Sequence, residues 1–307
     1  MGVALPNGQS ESLTYNNANR LTRVTLSNGT CYNYSYDGAG DLTGVTEQNG
    51  DGYSWNYDSA HRVTGTTDPF GYQLTYIWDK SGNFRSKNGC TYYYDGSNNM
   101  YEAKLPNAFI YYGRDDEGRV FNIEYNPVYT LNGQVHYATS QRIMNYLPNG
   151  WCNSILDQYF PYASGYSYGY NADGTISGYN SWNGTHSFSY DADGRLTSWT
   201  YNGVQQNYTY DAAGNLLTKG DMEFTYNRSN EITNPGFTYD RNGNMTGDGS
   251  FNYTYNALNQ LVQVNKVSNG SLVATYTYNH DGSRRSKTTS QGTTNYNWDV
   301  FGNCDFV

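Results

Sequence analysis

Aromatic and polar residues alternate along short stretches of this chain: Tyr32-x-Tyr34-x-Tyr36, Tyr166-x-Tyr168-x-Tyr170, Tyr208-x-Tyr210, Tyr253-x-Tyr255 and Tyr276-x-Tyr278. A period of two puts alternate side chains on one face, so each stretch predicts a half-buried β-strand. The strands end alike. Asp or Asn follows the last aromatic, Gly or Asn stands three positions later, and an aliphatic residue opens the next alternating stretch. An Asp or Asn side chain can bond its own backbone two residues on, and Gly or Asn accepts the positive φ of a tight reversal. The pattern therefore predicts β-hairpin ends and few helices.

The hairpin end recurs. It reads Tyr15-Asn-Asn-Ala-Asn-Arg-Leu, Tyr36-Asp-Gly-Ala-Gly-Asp-Leu, Tyr57-Asp-Ser-Ala-His-Arg-Val and Trp78-Asp-Lys-Ser-Gly-Asn-Phe, at a spacing of 21 residues. It follows at Tyr94 and returns at Tyr170, Tyr190, Tyr210, Tyr226, Tyr239, Tyr255, Tyr278 and Trp298, at intervals of 13 to 23. A constant motif at variable spacing makes the turn the fixed device and lets the hairpin arms change length. Some sixteen such cassettes imply about thirty short strands, two per hairpin. One hairpin cannot bury its own face, so stability has to accumulate between neighbours, with tyrosines of successive repeats about 4.8 Å apart in an aromatic ladder.

The residues that define the repeat are Tyr36, Asp37, Gly40 and Leu42; Tyr57 and Asp58; Tyr190, Asp191, Gly194 and Leu196; Tyr210, Asp211, Gly214 and Leu216; and Tyr239, Asp240 and Gly243. Turns of similar character appear as Leu5-Pro6-Asn7-Gly8, Asp68-Pro69-Phe70-Gly71 and Leu147-Pro148-Asn149-Gly150. With these motifs, over about three quarters of its length, the sequence resembles the YD-repeat or Rhs (rearrangement hotspot) family, related to toxin-complex shell proteins and teneurins.

The resemblance implies an all-β fold in which repeated hairpins stack into a curved, spiralling antiparallel sheet, a shell or part of one. It implies a single shell domain over 1–307, with degenerate repeats or an insertion at about 100–169, where intact motifs are few. Its functional implication is a non-catalytic structural shell that encloses or presents a polypeptide, as in toxin encapsulation and delivery. In the encapsulating members a self-cleaving core and a variable toxin follow the repeats. Neither is expected here, because the chain stops five residues past Trp298-Asp-Val-Phe-Gly302. An incomplete shell has unpaired sheet edges, which favour self-association.

Composition supports a folded, aromatic-rich β protein: 35 Tyr and 34 Gly, with 15% charged residues against about 25% in an ordinary domain. A net charge of −9, with scattered Lys and Arg, argues against nucleic acid and anionic membrane as partners. No apolar stretch approaches the roughly 20 residues of a membrane span, and the first residues do not read as a signal peptide. The resemblance nonetheless implies a secreted or cell-surface protein, of bacterial origin.

Candidate chemistry is sparse. Cys31, Cys90, Cys152 and Cys304 lack any C-x-x-C pair, so they read as isolated buried thiols, with long-range disulfides as the other reading and zinc disfavoured. Asp191-Ala-Asp193-Gly194 begins like a calcium loop, but its twelfth position is Asn202 and no helices flank it. Gly38-Ala-Gly40 opens no helix and so fails as a dinucleotide fingerprint. His61, His136, His186 and His280 show no ligand spacing and read as surface or hairpin residues. No catalytic residue, cofactor or metal is expected. The alternative functions are an extracellular adhesion module, whose aromatic and amide side chains would bind carbohydrate or protein, and a glycoside hydrolase built from turn carboxylates.

Overall fold

In the computed structural model the chain is described over residues 2–4, 10–131, 134–137, 139–159 and 162–306. The Leu5–Gly8 turn lies outside these residues. Among them are 31 β-strands and no helix. Most consecutive strands pair antiparallel, from Gly2–Ala4 with Ser10–Tyr15 onward, and the strands from Phe237–Tyr239 to Cys304–Phe306 form a sheet of their own. The strand Val120–Leu131 departs from this order by pairing with both Gln134–Tyr137 and Ser140–Tyr146 on one side. Hairpins stacked in sequence, with short arms, are the architecture the alternating pattern predicts.

The two kinds of hairpin end differ. Ends opposite the Tyr-Asp motif are often tight Asn-Gly turns: Lys87 pairs with Cys90 and Tyr201 with Val204 across two residues at positive φ, Asn88-Gly89 and Asn202-Gly203. That backbone twist matches the twist of the flanking strands. At the Tyr-Asp ends most hairpins carry a bulge, the end at Trp298 being an exception. Ser35 faces Gly44 but Tyr36 faces Leu42, leaving Thr43 unpaired, and the same shift recurs at Tyr15, Tyr57, Tyr170, Tyr190, Tyr210, Tyr239, Tyr255 and Tyr278.

Contacts divide the chain into two compact units, Met1–Tyr76 with Thr225–Val307, and Ile77–Phe224. The second unit is a sheet with little beneath it: among its described residues only Ala103, Ala108 and His186 are buried. Its stability rests on side chains that touch across strands. Tyr179 stacks on His186 at 4.2 Å, His186 on Tyr201 at 4.6 Å, and Trp199 donates its indole N–H to His186 Nδ1 at 3.0 Å. This is the expected aromatic ladder, with a histidine as one rung. Of the surface and hairpin places the sequence suggests, His186 takes the hairpin one, and it is buried because its ring fills a rung between Tyr179 and Tyr201.

The first unit has a true core. Val24, Leu26, Tyr32, Val45 and Ala257 are buried together, with Leu13, Leu21, Tyr34, Leu42, Trp55 and Leu258 packed against them. Burial, as the largest effect, drives the Tyr34 hydroxyl up to about 12, so it stays protonated. Residues from opposite ends of the chain meet here. Arg285 donates to both carboxylate oxygens of Glu47 at 3.1 Å and to Asp51 at 2.9 Å, and its guanidinium lies 5.1 Å over the Phe70 ring. The Val300 N–H reaches the Tyr76 hydroxyl at 3.4 Å. The four cysteines form no disulfide, and only Cys31 is buried.

Removing one member of a largely desolvated ion pair leaves the other without compensation. Arg285→Met is expected to lower unfolding free energy by about 3 kcal/mol, with part recovered in Arg285→Met/Glu47→Gln. Urea titration followed by tryptophan fluorescence measures both. An unchanged midpoint in the single variant would remove Arg285 from the stabilising contacts of this unit.

The Tyr-Asp hairpin end as candidate functional site

Each hairpin end is built around one carboxylate or carboxamide. In the cassette Tyr36–Leu42, the Asp37 N–H donates to the Asp41 carbonyl at 3.0 Å and the Gly40 N–H returns to the Asp37 carbonyl. Asp37 Oδ1 then accepts from the N–H groups of Ala39, Gly40 and Asp41 at 2.8–3.0 Å. The N–H groups two and four residues on close Asp58, Asp191, Asp211 and Asp240 in the same way. One oxygen thus satisfies the backbone donors that a tight reversal leaves over.

The fourth residue after the aromatic has positive φ throughout. Gly40, Gly194, Gly214 and Gly243 occupy it, and in other cassettes Asn19, His61, Asn98, Asn230 and Asn259 adopt φ between 56° and 63°. Gly118 and Gly150 mark the same turn at Arg114-Asp115 and Tyr146-Leu147, within the stretch where motifs looked sparse. There Arg and Leu replace the usual Tyr and Asp, while the backbone bonds persist.

The other carboxylate oxygen takes the fifth residue after the aromatic. Arg62, Arg119 and Arg195 donate Nε to the Oδ2 of Asp58, Asp115 and Asp191 at 2.7–2.8 Å, and Asn215 and Asn244 do so to Asp211 and Asp240 at 2.9 Å. Where the turn residue is Asn, the partner accepts instead: Gln260 for Asn256 and Ser283 for Asn279. The arginines also reach the following cassette. Arg195 lies 5.2 Å over the Tyr210 ring and donates to the Asp211 carbonyl at 3.2 Å, and Arg20 stands likewise to Tyr36 and Asp37. Asp41, facing Asp37, turns to His61 Nδ1 of the next cassette at 2.7 Å.

The motif tyrosine does more than fill a ladder. Pairing between successive cassettes stops two residues short of the turn: Ser198 faces Asn207, but Leu196 has no ladder partner on that side. The Tyr210 hydroxyl donates to the Leu196 carbonyl at 2.9 Å. Tyr36 caps Leu21, Tyr57 caps Leu42, Tyr190 caps Ile176 and Tyr278 caps Leu261 in the same way, at 2.7–2.9 Å. Trp298 substitutes its indole N–H, to Arg284. Tyr239 is reversed, its hydroxyl accepting from the Ile232 N–H. Leu216 sits opposite Tyr210 across the bulge. Sequence inspection finds the turn and the strand face but misses the hydroxyl and the fifth-position partner. The latter signal is present in most repeats, where Asp is followed four residues on by Arg or Asn and Asn by Gln, Glu, Ser or Thr, with Asp37–Asp41 and Asn16–Arg20 as exceptions.

Electrostatically the turn carboxylates are held as anions. The Arg195 backbone N–H, then its guanidinium, hold Asp191 below the usual range; Arg62 does so for Asp58 and Asn215 for Asp211, side chain first. A depressed folded-state pKa contributes stability above the unfolded value of about 3.9 and loses it as pH falls through the folded value. Stability is expected to be level above pH 5 and to fall steeply below about pH 4, with a shallower fall in Asp211→Asn. Urea midpoints across that range check it. Arg195→Ala is expected to lower the urea midpoint through its lost cation–π contact, and Tyr210→Phe to cost about 1 kcal/mol through its lost hydrogen bond, measured by the same denaturation.

Comparison with known proteins follows this geometry. The sequence matches the teneurin YD-shell family model over residues 6–145 and 129–295. A search of curated proteins by sequence found no match. Among solved structures, the chain is similar to TcdB2-TccC3, with a TM-score of 0.51 and 13% identity over 98% of its length, and it spans 20% of that chain. TcdB2-TccC3-Cdc42 matches at 0.35 with 12% identity, covering 98% of this chain and 23% of that one. The Tc holotoxin pore of Photorhabdus luminescens matches at 0.34 with 12% identity, covering 98% and 22%.

Proposed function

Because the chain belongs to the teneurin YD-shell family, we propose that it is a structural wall without catalysis of its own, one that encloses or presents a polypeptide. The observation that carries this reading is the use of the motif's polar groups. The carboxylates of Asp37, Asp58, Asp191, Asp211 and Asp240 are engaged by their own turns, and the tyrosine hydroxyls by the preceding cassette. Groups held this way serve as joints between repeats, and carboxylates kept anionic are poor general acids.

In this reading residues 1–307 act as one repeat domain, and 100–169 is a run of altered repeats. The turns at Asp115 and Leu147 support that, since they keep the cassette's backbone bonds. The thinly covered sheet of Ile77–Phe224 suits a partition better than a catalytic core. We place the protein outside the cytoplasm, secreted or at a cell surface, and of bacterial origin, in keeping with its family. Among the described residues no helix is long and apolar enough to cross a membrane.

An unstructured reporter peptide fused after Val307 or before Met1 tests the enclosure. At least one fusion is expected to resist protease far longer than the free peptide. Cleavage of both at the free rate would overturn enclosure and favour the second reading, an extracellular module that binds protein or carbohydrate. That reading rests on Trp182 and Tyr162, which are 76% and 69% exposed.

A further inference from the structure

Within the first unit a cavity of about 270 Å³ opens between the hairpin ends at Asp68, Asn279 and Asp299. Tyr53 and Trp55, stacked with ring centroids 5.8 Å apart, form one wall. The size suits a side chain or a small molecule.

Four buried polar atoms along this cavity have no hydrogen-bond partner: Asp68 Oδ2, Asn279 Oδ1, His280 Nδ1 and Asn297 Oδ1. Asn279 and Asn297 are only 2% and 4% exposed. Buried polar groups are normally satisfied, so four orphans lining one cavity point to a guest.

Local chemistry accounts for three of them. Asp68 caps its turn through Oδ1, accepting from the Phe70 and Tyr72 N–H groups. The fifth-position residue that elsewhere occupies Oδ2 is here Tyr72, which has no comparable donor. At Asn279 the orientation of the amide is fixed by its neighbours. Ser283 Oγ donates to Asp281 Oδ1 at 2.6 Å, so toward Asn279 it can only accept, which places Nδ2 on Ser283 and Oδ1 in the cavity. The His280 ring, held by burial below its ordinary pKa, is a neutral imidazole that offers a lone pair at Nδ1 when its proton sits on Nε2.

The orphans are thus acceptors. Three carboxylates, of Asp68, Asp281 and Asp299, line the cavity, and among the described residues no lysine or arginine does. Arg285, whose charge is felt at Tyr53, is already held by Glu47 and Asp51. A sugar hydroxyl both donates and accepts, whereas an ammonium only donates, through three N–H bonds, and is attracted to aromatic faces.

We propose that this cavity binds a primary ammonium group, carried either by a small alkylamine or by a lysine side chain. The proposal is independent of the shell reading and survives or fails separately from it.

Isothermal titration calorimetry of the full chain with n-butylammonium, n-butyltrimethylammonium, Nα-acetyl-lysine methylamide and glucose tests it. One site for a primary amine is expected, with the trimethyl analogue weaker by about tenfold or more, since it keeps the charge but has no N–H. If butylammonium binds as well as the lysine derivative, the source is a free amine; if only the lysine derivative binds, it is a polypeptide. Asp68→Asn keeps the Oδ1 cap, replaces Oδ2 by a donor, and is expected to weaken the amine by about tenfold with an unchanged melting temperature. Equal affinity for the trimethyl analogue, unaltered binding in folded Asp68→Asn, preference for glucose, or no amine binding at millimolar concentration would overturn it. The ligand comparison needs no variant, so a misfolded substitution does not shelter the proposal.

Discussion

A hydrogen bond from one tyrosine hydroxyl to one backbone carbonyl sets the limits of this fold. Most Tyr-Asp turns carry a bulge, and the ladder to the following cassette gives out two residues before the turn, as at Leu42 and Leu196. A carbonyl left there without a partner costs about as much as a lost hydrogen bond. Tyr57 and Tyr210 reach back to supply the donor. Tyrosine suits the place because its ring packs against the sheet while its hydroxyl reaches the backbone, and Trp298 shows that any aromatic with a terminal donor can serve. Phenylalanine would cover the surface and leave the carbonyl bare.

Around that bond the remaining motif residues fall into place. The turn carboxylate spends one oxygen on its own backbone and the other on the fifth-position side chain, and where that side chain is arginine it also covers the next tyrosine. Each contact is modest, but they repeat, which lets a sheet with as little buried apolar surface as Ile77–Phe224 hold together. The first unit adds what the repeat lacks: an apolar cluster from Val24 to Ala257, and an ion-pair group at Arg285.

The strand period and the turn were legible because both depend on neighbouring residues: Tyr32-x-Tyr34-x-Tyr36 declares a face, and Asp37 to Gly40 a reversal. The all-β, hairpin-stacked fold followed from these. Partners about fifteen residues away were harder to see, since the hydroxyl of Tyr210 and the carbonyl of Leu196 meet only once hairpins are stacked. Arg285 and Glu47 lie 238 positions apart, and no local pattern signals their pairing. The turns at Asp115 and Leu147 were legible as turns but not as intact cassettes, for another reason. They keep the backbone bonds while the first residue or the capping side chain changes, so the identity of the letters faded before the geometry did.

The tyrosine bonds described here point overwhelmingly one way, from a later hairpin to an earlier one. A ribbon emerging from the ribosome therefore finds its acceptor already in place behind it, and the strip can lengthen by accretion without waiting for residues still to be made. The stretch from Thr225 onward, with Ala257, Arg285 and Val300, instead comes back to meet the beginning. Closure of that seam waits until those residues have been made.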